Sequence, residues 1–290
     1  MTSPICVFGE VLFDHFPDGS RVLGGAPFNV AWNLQALGED VQFISRVGED
    51  AEGSQIRESM RDWGMDLRHL QSDSNLSTGR VSVSLAEGEP SYDIVAPCAY
   101  DRIQPIQDPP ACSLVYHGTL ALRDPASRAA LDALLGGEPK RVFVDVNLRP
   151  PWWDRHKVLA QLEHAHWVKL NTEELAQLSD QRMGDQHAAR TFVTDHGLSG
   201  LVLTHGSEGA ELFTSQGEHF AVSPSGDTQV LDTVGAGDAF ASVMLLGLVR
   251  NWPLQLTLER AQAFASALVG QRGATVPDRH YYQQFTNTWN

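Results

Sequence analysis

What most constrains this chain is a series of short, largely apolar runs: Ile5 to Phe8, Val41 to Ser45, Leu114 to Tyr116, Val142 to Asp145, Trp167 to Leu170 and Leu201 to Thr204. Between several of them lie stretches with the spacing of amphipathic helix, among them Gly53 to Trp63 and Asp124 to Leu135, the latter with Pro125 in its first turn. A strand that is apolar on both sides must be covered on both sides, which is the condition of a parallel sheet between two helix layers. The fold expected is therefore α/β, an open, mostly parallel sheet with helices on both faces. The segment Thr78 to Ala96 departs from this pattern. Arg80-Val81-Ser82-Val83-Ser84-Leu85 alternates strictly, and Gly88-Glu89-Pro90 turns the chain before Tyr92-Asp93-Ile94-Val95, which predicts a hairpin with one wet face. With 290 residues and no linker or composition break, residues 1–290 read as a single domain.

Charge and cysteine content narrow the function. A formal charge of −15 and a pI near 5.0 argue against nucleic-acid and anionic-membrane partners. Cys6, Cys98 and Cys112 are odd in number and lack ligand spacing, which suits reduced thiols. No signal peptide precedes Ile5 and no apolar run approaches the length of a membrane span, so a cytoplasmic location is expected. There is no G-x-x-x-x-G-K-[ST] loop, and Gly235-Ala236-Gly237 lacks the third glycine of a dinucleotide fingerprint. His164 and His166 have no zinc-type partner at ligand spacing and read as surface histidines.

The chemistry centres on Asp232-Thr233-Val234-Gly235-Ala236-Gly237-Asp238-Ala239-Phe240, a small-residue turn at the start of an apolar helix. Gly235, Ala236 and Gly237 leave backbone N–H groups unobstructed, and a helix beginning near Gly237 adds the positive end of its dipole, so an anion can settle there without a lysine. A carboxylate repels phosphate, so Asp238 beside that anion makes sense as a base taking a proton from an attacking hydroxyl. The competing reading of this stretch is an ordinary helix start.

Several further motifs accompany it: Gly9-Glu10-Val11-Leu12-Phe13-Asp14, Gly24-Gly25-Ala26-Pro27-Phe28-Asn29-Val30-Ala31, Val47-Gly48-Glu49-Asp50 with Gly53, Asp145-Val146-Asn147-Leu148-Arg149, Lys169-Leu170-Asn171-Thr172-Glu173-Glu174, and Leu203-Thr204-His205-Gly206-Ser207-Glu208-Gly209. In this order and spacing the chain resembles the PfkB/ribokinase family of ATP-dependent carbohydrate kinases nearly end to end. The resemblance implies a ribokinase-like sheet with a small β-lid, formed by segments of about 12–23 and 78–99, that closes over the sugar and can also serve as a homodimer contact. It implies Asp238 as base with Gly235, Ala236 and Gly237 as anion hole. Asp14, Gly24, Gly25, Asn29 and Arg149 fall on the substrate side, with the Asn29 amide, one turn into a helix begun at Pro27, pointing at the sugar. Lys169, Asn171, Thr204, Gly206, Gly209 and Gly237 fall on the nucleotide side, Arg149 and Lys169 being the cations that offset the nucleotide's charge. Asn171 and Glu174 would hold Mg²⁺ through water, although the same pair is what a helix cap shows. A monovalent cation, K⁺, would stand near Asp232 and Val234.

The DxNxR form of Asp145 to Arg149 and the Gly-Gly-Ala-Pro-Phe-Asn signature resemble bacterial fructokinases in particular. Fructose as acceptor is thus expected, with a 2-keto-3-deoxygluconate kinase as the alternative and a non-catalytic sugar- or nucleotide-binding relative as the remote one. Val95 stands near the place where a lid arginine is usual in fructokinases and keto-acid kinases. Its loss speaks against an acidic sugar.

Overall fold

The computed structural model describes residues 4–86, 89–137, 140–179, 186–224 and 229–289. Its strands are β1 (Ile5–Phe8), β2 (Leu12–His15), β3 (Arg21–Gly24), β4 (Val41–Gly48), β5 (Leu70–Asp73), β6 (Gly79–Ala86), β7 (Glu89–Ile94), β8 (Leu114–His117), β9 (Arg141–Asp145), β10 (Trp167–Asn171), β11 (Gly200–Thr204), β12 (Ala210–Thr214) and β13 (His219–Val222). Its helices are α1 (Ala26–Ala36), α2 (Ala51–Asp62), α3 (Pro125–Leu135), α4 (Arg155–Gln161), α5 (Thr172–Leu178), α6 (Gln186–Asp195), α7 (Ala236–Arg250), α8 (Leu254–Leu268) and α9 (Arg279–Trp289).

The main sheet has the order β13-β12-β11-β10-β9-β8-β1-β4-β5, parallel from β11 through β5, with β12 and β13 added antiparallel at one edge. Each apolar run of the sequence lies within one of its parallel strands, and several strands continue one or more residues further. The hydrogen-bond ladder carries β8 on to His117 and β10 on to Asn171, polar residues that apolarity alone leaves outside. Alternation divides the core into two layers. Ile5 and Val7 of β1 join the residues of α1, α2, α7, α8 and α9 on one face, while Cys6 and Phe8 join α3 on the other, where α4, α5 and α6 cover the neighbouring strands. Each such large side chain removed from water contributes about 1.5–3 kcal/mol. Cys6, Cys98 and Cys112 are buried and free. Among the described residues, no helix is long and apolar enough to cross a membrane.

The segments 12–23 and 78–99 meet in a second sheet of order β3-β2-β6-β7. The alternation of β6 has the expected effect: Val81 and Val83 are buried while Ser84 is exposed. The turn read at Gly88 lies outside the described residues.

Helix α7 is buried throughout from Ala239 to Leu248, so its apolar surface faces protein on every side. It packs on both α1 and α8. Gly247 allows the approach of α8, since a β-carbon there would overlap the Thr257 side chain, which is itself held by the Pro253 carbonyl at 3.1 Å. Gly247→Ala is expected to lower unfolding stability by about 1–3 kcal/mol through overpacking, measured by urea denaturation.

Candidate active site

The loops that follow the C-terminal ends of β1, β9, β10 and β11 open on the same edge of the sheet, where the first turns of α1 and α7 converge. Gly25, the N-cap of α1, has φ 112°, and a β-carbon there would lie 2.7 Å from the Glu10 carbonyl; only glycine lets α1 start so close to the β1–β2 loop. One turn on, Asn29 is buried, with 4% of its surface exposed. A β-carbon at Gly24 would stand 3.7 Å from Asp14 Oδ2 and 3.9 Å from Asn29 Oδ1, so the missing side chain leaves open the space between those two residues. Asp14 is partly buried on β2, and burial raises its carboxyl above the usual range while the Arg149 guanidinium opposes the shift.

Asp238 lies in the first turn of α7, whose N-cap Gly235 is left-handed at φ 81° and would overlap Ala274 if it carried a side chain. Among the described residues, no acceptor meets the N–H groups of Gly235, Gly237 or Asp238. The Ala236 N–H, which the sequence counts among the free donors, is taken by the Thr233 carbonyl at 3.3 Å, because the turn folds back before the helix begins. Open N–H groups at a helix N-terminus on an exposed turn have the chemistry to accept an anion. Asp232 fixes the turn from below, its Oδ1 accepting from Val234 N–H and its Oδ2 from Gly273 N–H, both at 3.0 Å.

Burial pushes the Asp238 carboxyl up to about 6. The Asn29 amide, donating to Oδ2 at 2.8 Å, pulls the other way, as do Lys169 and Arg149, while Asp145 adds to the rise. The sequence points the Asn29 amide at the sugar; in the structure its Nδ2 meets Asp238, and its Oδ1 borders the space beside Gly24. The two side chains are separated by 209 positions, and only the packing of α1 against α7 brings them together.

Lys169, which the sequence names as a cation offsetting nucleotide charge, has a carboxylate partner in the structure. It is buried with both Asp145 carboxylate oxygens at 2.9 Å, and that pairing outweighs the cost of burial and holds the ammonium above its usual range. Tyr116 adds a hydrogen bond to Asp145 at 3.3 Å. The ammonium still lies directly under the turn, 3.3 Å from where a Gly237 β-carbon would be. Asn171 and Glu174 form a capping box at the start of α5: Asn171 Oδ1 accepts from Glu174 N–H at 2.8 Å, and Glu174 Oε2 accepts from Asn171 N–H at 2.9 Å. Glu174 Oε1 takes the Leu148 N–H at 2.8 Å, tying α5 to the Asp145–Arg149 loop.

On the other side of the turn, Thr204 ends β11 and Gly206 to Glu208 form a short 3-10 turn. Gly209 lies against Val222 and Ser223 so closely that a β-carbon would overlap the Val222 carbonyl. Those two residues open a cavity of about 370 Å³ against α8, whose Gln262, Ser266 and Ala267 form its far wall. The C-terminal end of α8 returns to the anion turn, with the Val269 carbonyl accepting from Leu231 and Asp232 N–H.

Two residues near the site escape sequence reasoning. Glu10 is buried with Oε2 unpartnered, and burial pushes its carboxyl up to about 7. Its position directly after Gly9, at the end of the first strand, was the available signal. Arg123 occupies the ground near Val95: its guanidinium meets Asp101 at 2.7 and 2.9 Å and the Val95 carbonyl at 2.9 Å, and it stacks over Trp152 at 4.5 Å. It comes from a turn 28 residues beyond Val95, so no local pattern announces it.

The family model described as pfkB family carbohydrate kinase matches residues 5–280. An aminoimidazole riboside kinase of Salmonella typhimurium is 32% identical over 93% of this chain and 90% of its own length. A fructokinase of Klebsiella pneumoniae is 34% identical over 87% and 86%. The crystal structure of fructokinase from Vibrio cholerae O395 with fructose, ADP and calcium bound is similar with a TM-score of 0.83 at 25% identity, covering 98% of this chain and 99% of that one. Gly235→Ala is expected to displace the turn, weakening tripolyphosphate binding in calorimetry by about tenfold or more through loss of aligned N–H donors.

Proposed function

Because this chain belongs to the pfkB family of carbohydrate kinases, we propose that it transfers the γ-phosphoryl group of MgATP to a terminal primary hydroxyl of a neutral sugar, fructose first. The observation that carries this reading is the placement of Asp238 between the open N–H groups of α7 and the space framed by Asp14, Gly24 and Asn29.

The nucleotide base enters the cavity between β13 and α8, and Thr204, Gly206 and Gly209 flank its phosphates. The polyphosphate rests on the N–H groups of Gly235 and Gly237 at the α7 N-terminus, above Lys169. Asp14 accepts hydroxyls of the sugar, whose primary hydroxyl gives its proton to Asp238 as its oxygen bonds to the γ-phosphorus and the bond to the ADP oxygen breaks. Arg149, exposed and electrostatically coupled to Asp14, Glu10 and Asp238, stands where charge moves from nucleotide to sugar. Among the described residues no group of three or more His, Cys, Asp or Glu side chains is arranged for a metal, which suits Mg²⁺ held mainly by phosphates and water. Glu174 and Asn171 would reach it through water, the Glu174 oxygens each keeping a lone pair beyond the cap bonds. Bound there, Mg²⁺ neutralises phosphate charge. A K⁺ ion would stand at Asp232 and the exposed Val234. The second sheet acts as the lid over the sugar, and its exposed Val22 and Tyr92 suit a contact with a second copy.

Electrostatics favour a neutral acceptor. Arg149 faces three carboxylates, Glu10, Asp14 and Asp238. Arg123 pairs with Asp101 through Nε and Nη2, with only its buried Nη1 left without a partner, and Arg102 pairs with Asp124 at 3.2 Å. Among the described residues, a sugar acid would find these cations already paired with carboxylates. An ADP-release assay over fructose, ribose, aminoimidazole riboside, 2-keto-3-deoxygluconate, mannose, glucose and adenosine is expected to give fructose the highest kcat/KM. A tenfold preference for the keto acid would overturn this substrate reading.

Asp238→Asn is expected to lower single-turnover rate by about two to four orders of magnitude with ATP affinity unchanged, since it removes a base and not a ligand. The same variant should melt higher than wild type at pH 8. A carboxyl raised to about 6 by burial makes ionisation costly in the folded state, and that cost is present above pH 6 and gone below the ordinary carboxyl range. The wild-type kcat should correspondingly fall as pH drops below about 6.

A further inference from the structure

Helices α1 and α7 pack together, and at their N-terminal turns a side-chain bond joins Asn29 to Asp238. The amide donates from Nδ2 to Oδ2 at 2.8 Å, and no described group donates to Oδ1 of Asp238. The other end of the amide, Asn29 Oδ1, is buried without a partner. Rotating the amide by half a turn would set that oxygen against the carboxylate, acceptor to acceptor, so the bond to Asp238 fixes its orientation even though one acceptor is left unmatched.

We infer that Asn29 is a positioning residue for the base: it ties down one carboxylate oxygen of Asp238 and leaves the other aimed at the acceptor hydroxyl. This rests on the reading of Asp238 as base. A carboxyl group turns freely about its terminal torsion, which is broad and two-fold, and a base that must meet a hydroxyl within hydrogen-bond reach loses effectiveness when it turns. The amide also favours the ionised form, because an N–H donor stabilises a carboxylate more than a carboxylic acid. The other groups facing Asp238 are Asp145 of β9, Lys169 of β10, Tyr116 of β8, Arg149 of the loop after β9, and Glu10 of the β1–β2 loop. None of them is altered by a substitution at Asn29.

The test is the pH profile of kcat for Asn29→Leu and Asn29→Ser beside Asp14→Ala and Asp238→Asn. Both Asn29 variants are expected to lose about ten- to a hundredfold in kcat at pH 7 and to move the acid limb upward by about one pH unit, in addition to any rise in sugar KM from losing Oδ1 beside the sugar space. Asp14→Ala should instead raise KM and leave the limb in place. An unmoved acid limb with the loss confined to KM makes Asn29 a sugar ligand and overturns the inference while leaving Asp238 as base. If Asp238→Asn itself turns over within a few-fold of wild type, the base reading fails and the inference falls with it. Should Asn29→Leu not fold, the smaller Asn29→Ser gives the same two readouts.

Discussion

Lys169 and Asp145 face each other at 2.9 Å beneath the first turn of α7, on adjacent parallel strands and out of water. A buried charge without its partner costs about 3–5 kcal/mol, so neither residue can change alone without disturbing the strand ends that support the site. The pair registers β10 against β9, receives Tyr116 from β8, and leaves an ammonium under Gly237. The C-terminal edge of the sheet is therefore polar in a controlled way. The buried Lys169 is balanced, and the exposed Arg149 and the open N–H groups of α7 carry positive charge to the surface.

Around that floor, Glu174 and Asp238 are held by bonds that leave an acceptor free, whereas Asp232 has a structural part. Asp232 spends both oxygens on backbone N–H groups and so shapes the turn. Glu174 spends one bond per oxygen on the α5 cap and the Leu148 N–H, and keeps its remaining lone pairs. Asp238 gives one oxygen to Asn29 and keeps the other. Burial raises Glu10, Asp14 and Asp238 together, with Arg149 opposing each of them. Crowded carboxylates of this kind are costly to the fold, and the raised pKa they give Asp238 suits the base role proposed for it.

The sequence by itself determined the main sheet, because its runs are apolar on both faces, and through the alternation of Arg80 to Leu85 it determined the β6–β7 hairpin, whereas the pairing of that hairpin with β2 and β3 was not in the alternation. It also pointed to an open turn before a buried helix, and the structure leaves the Gly235 and Gly237 N–H groups without an acceptor among the described residues. The tertiary structure decided what the side chains are bonded to. Whether Asn29 addresses the sugar or Asp238 depends on a contact across 209 positions, Lys169 finds Asp145 only because β9 and β10 are neighbours, and Arg123 reaches Val95 from a separate turn. A hydrogen bond is directional and short, and its partner is chosen by where helices and strands come to rest. Periodicity and composition record which face of an element is buried, and carry no information about which polar atom waits on the far side.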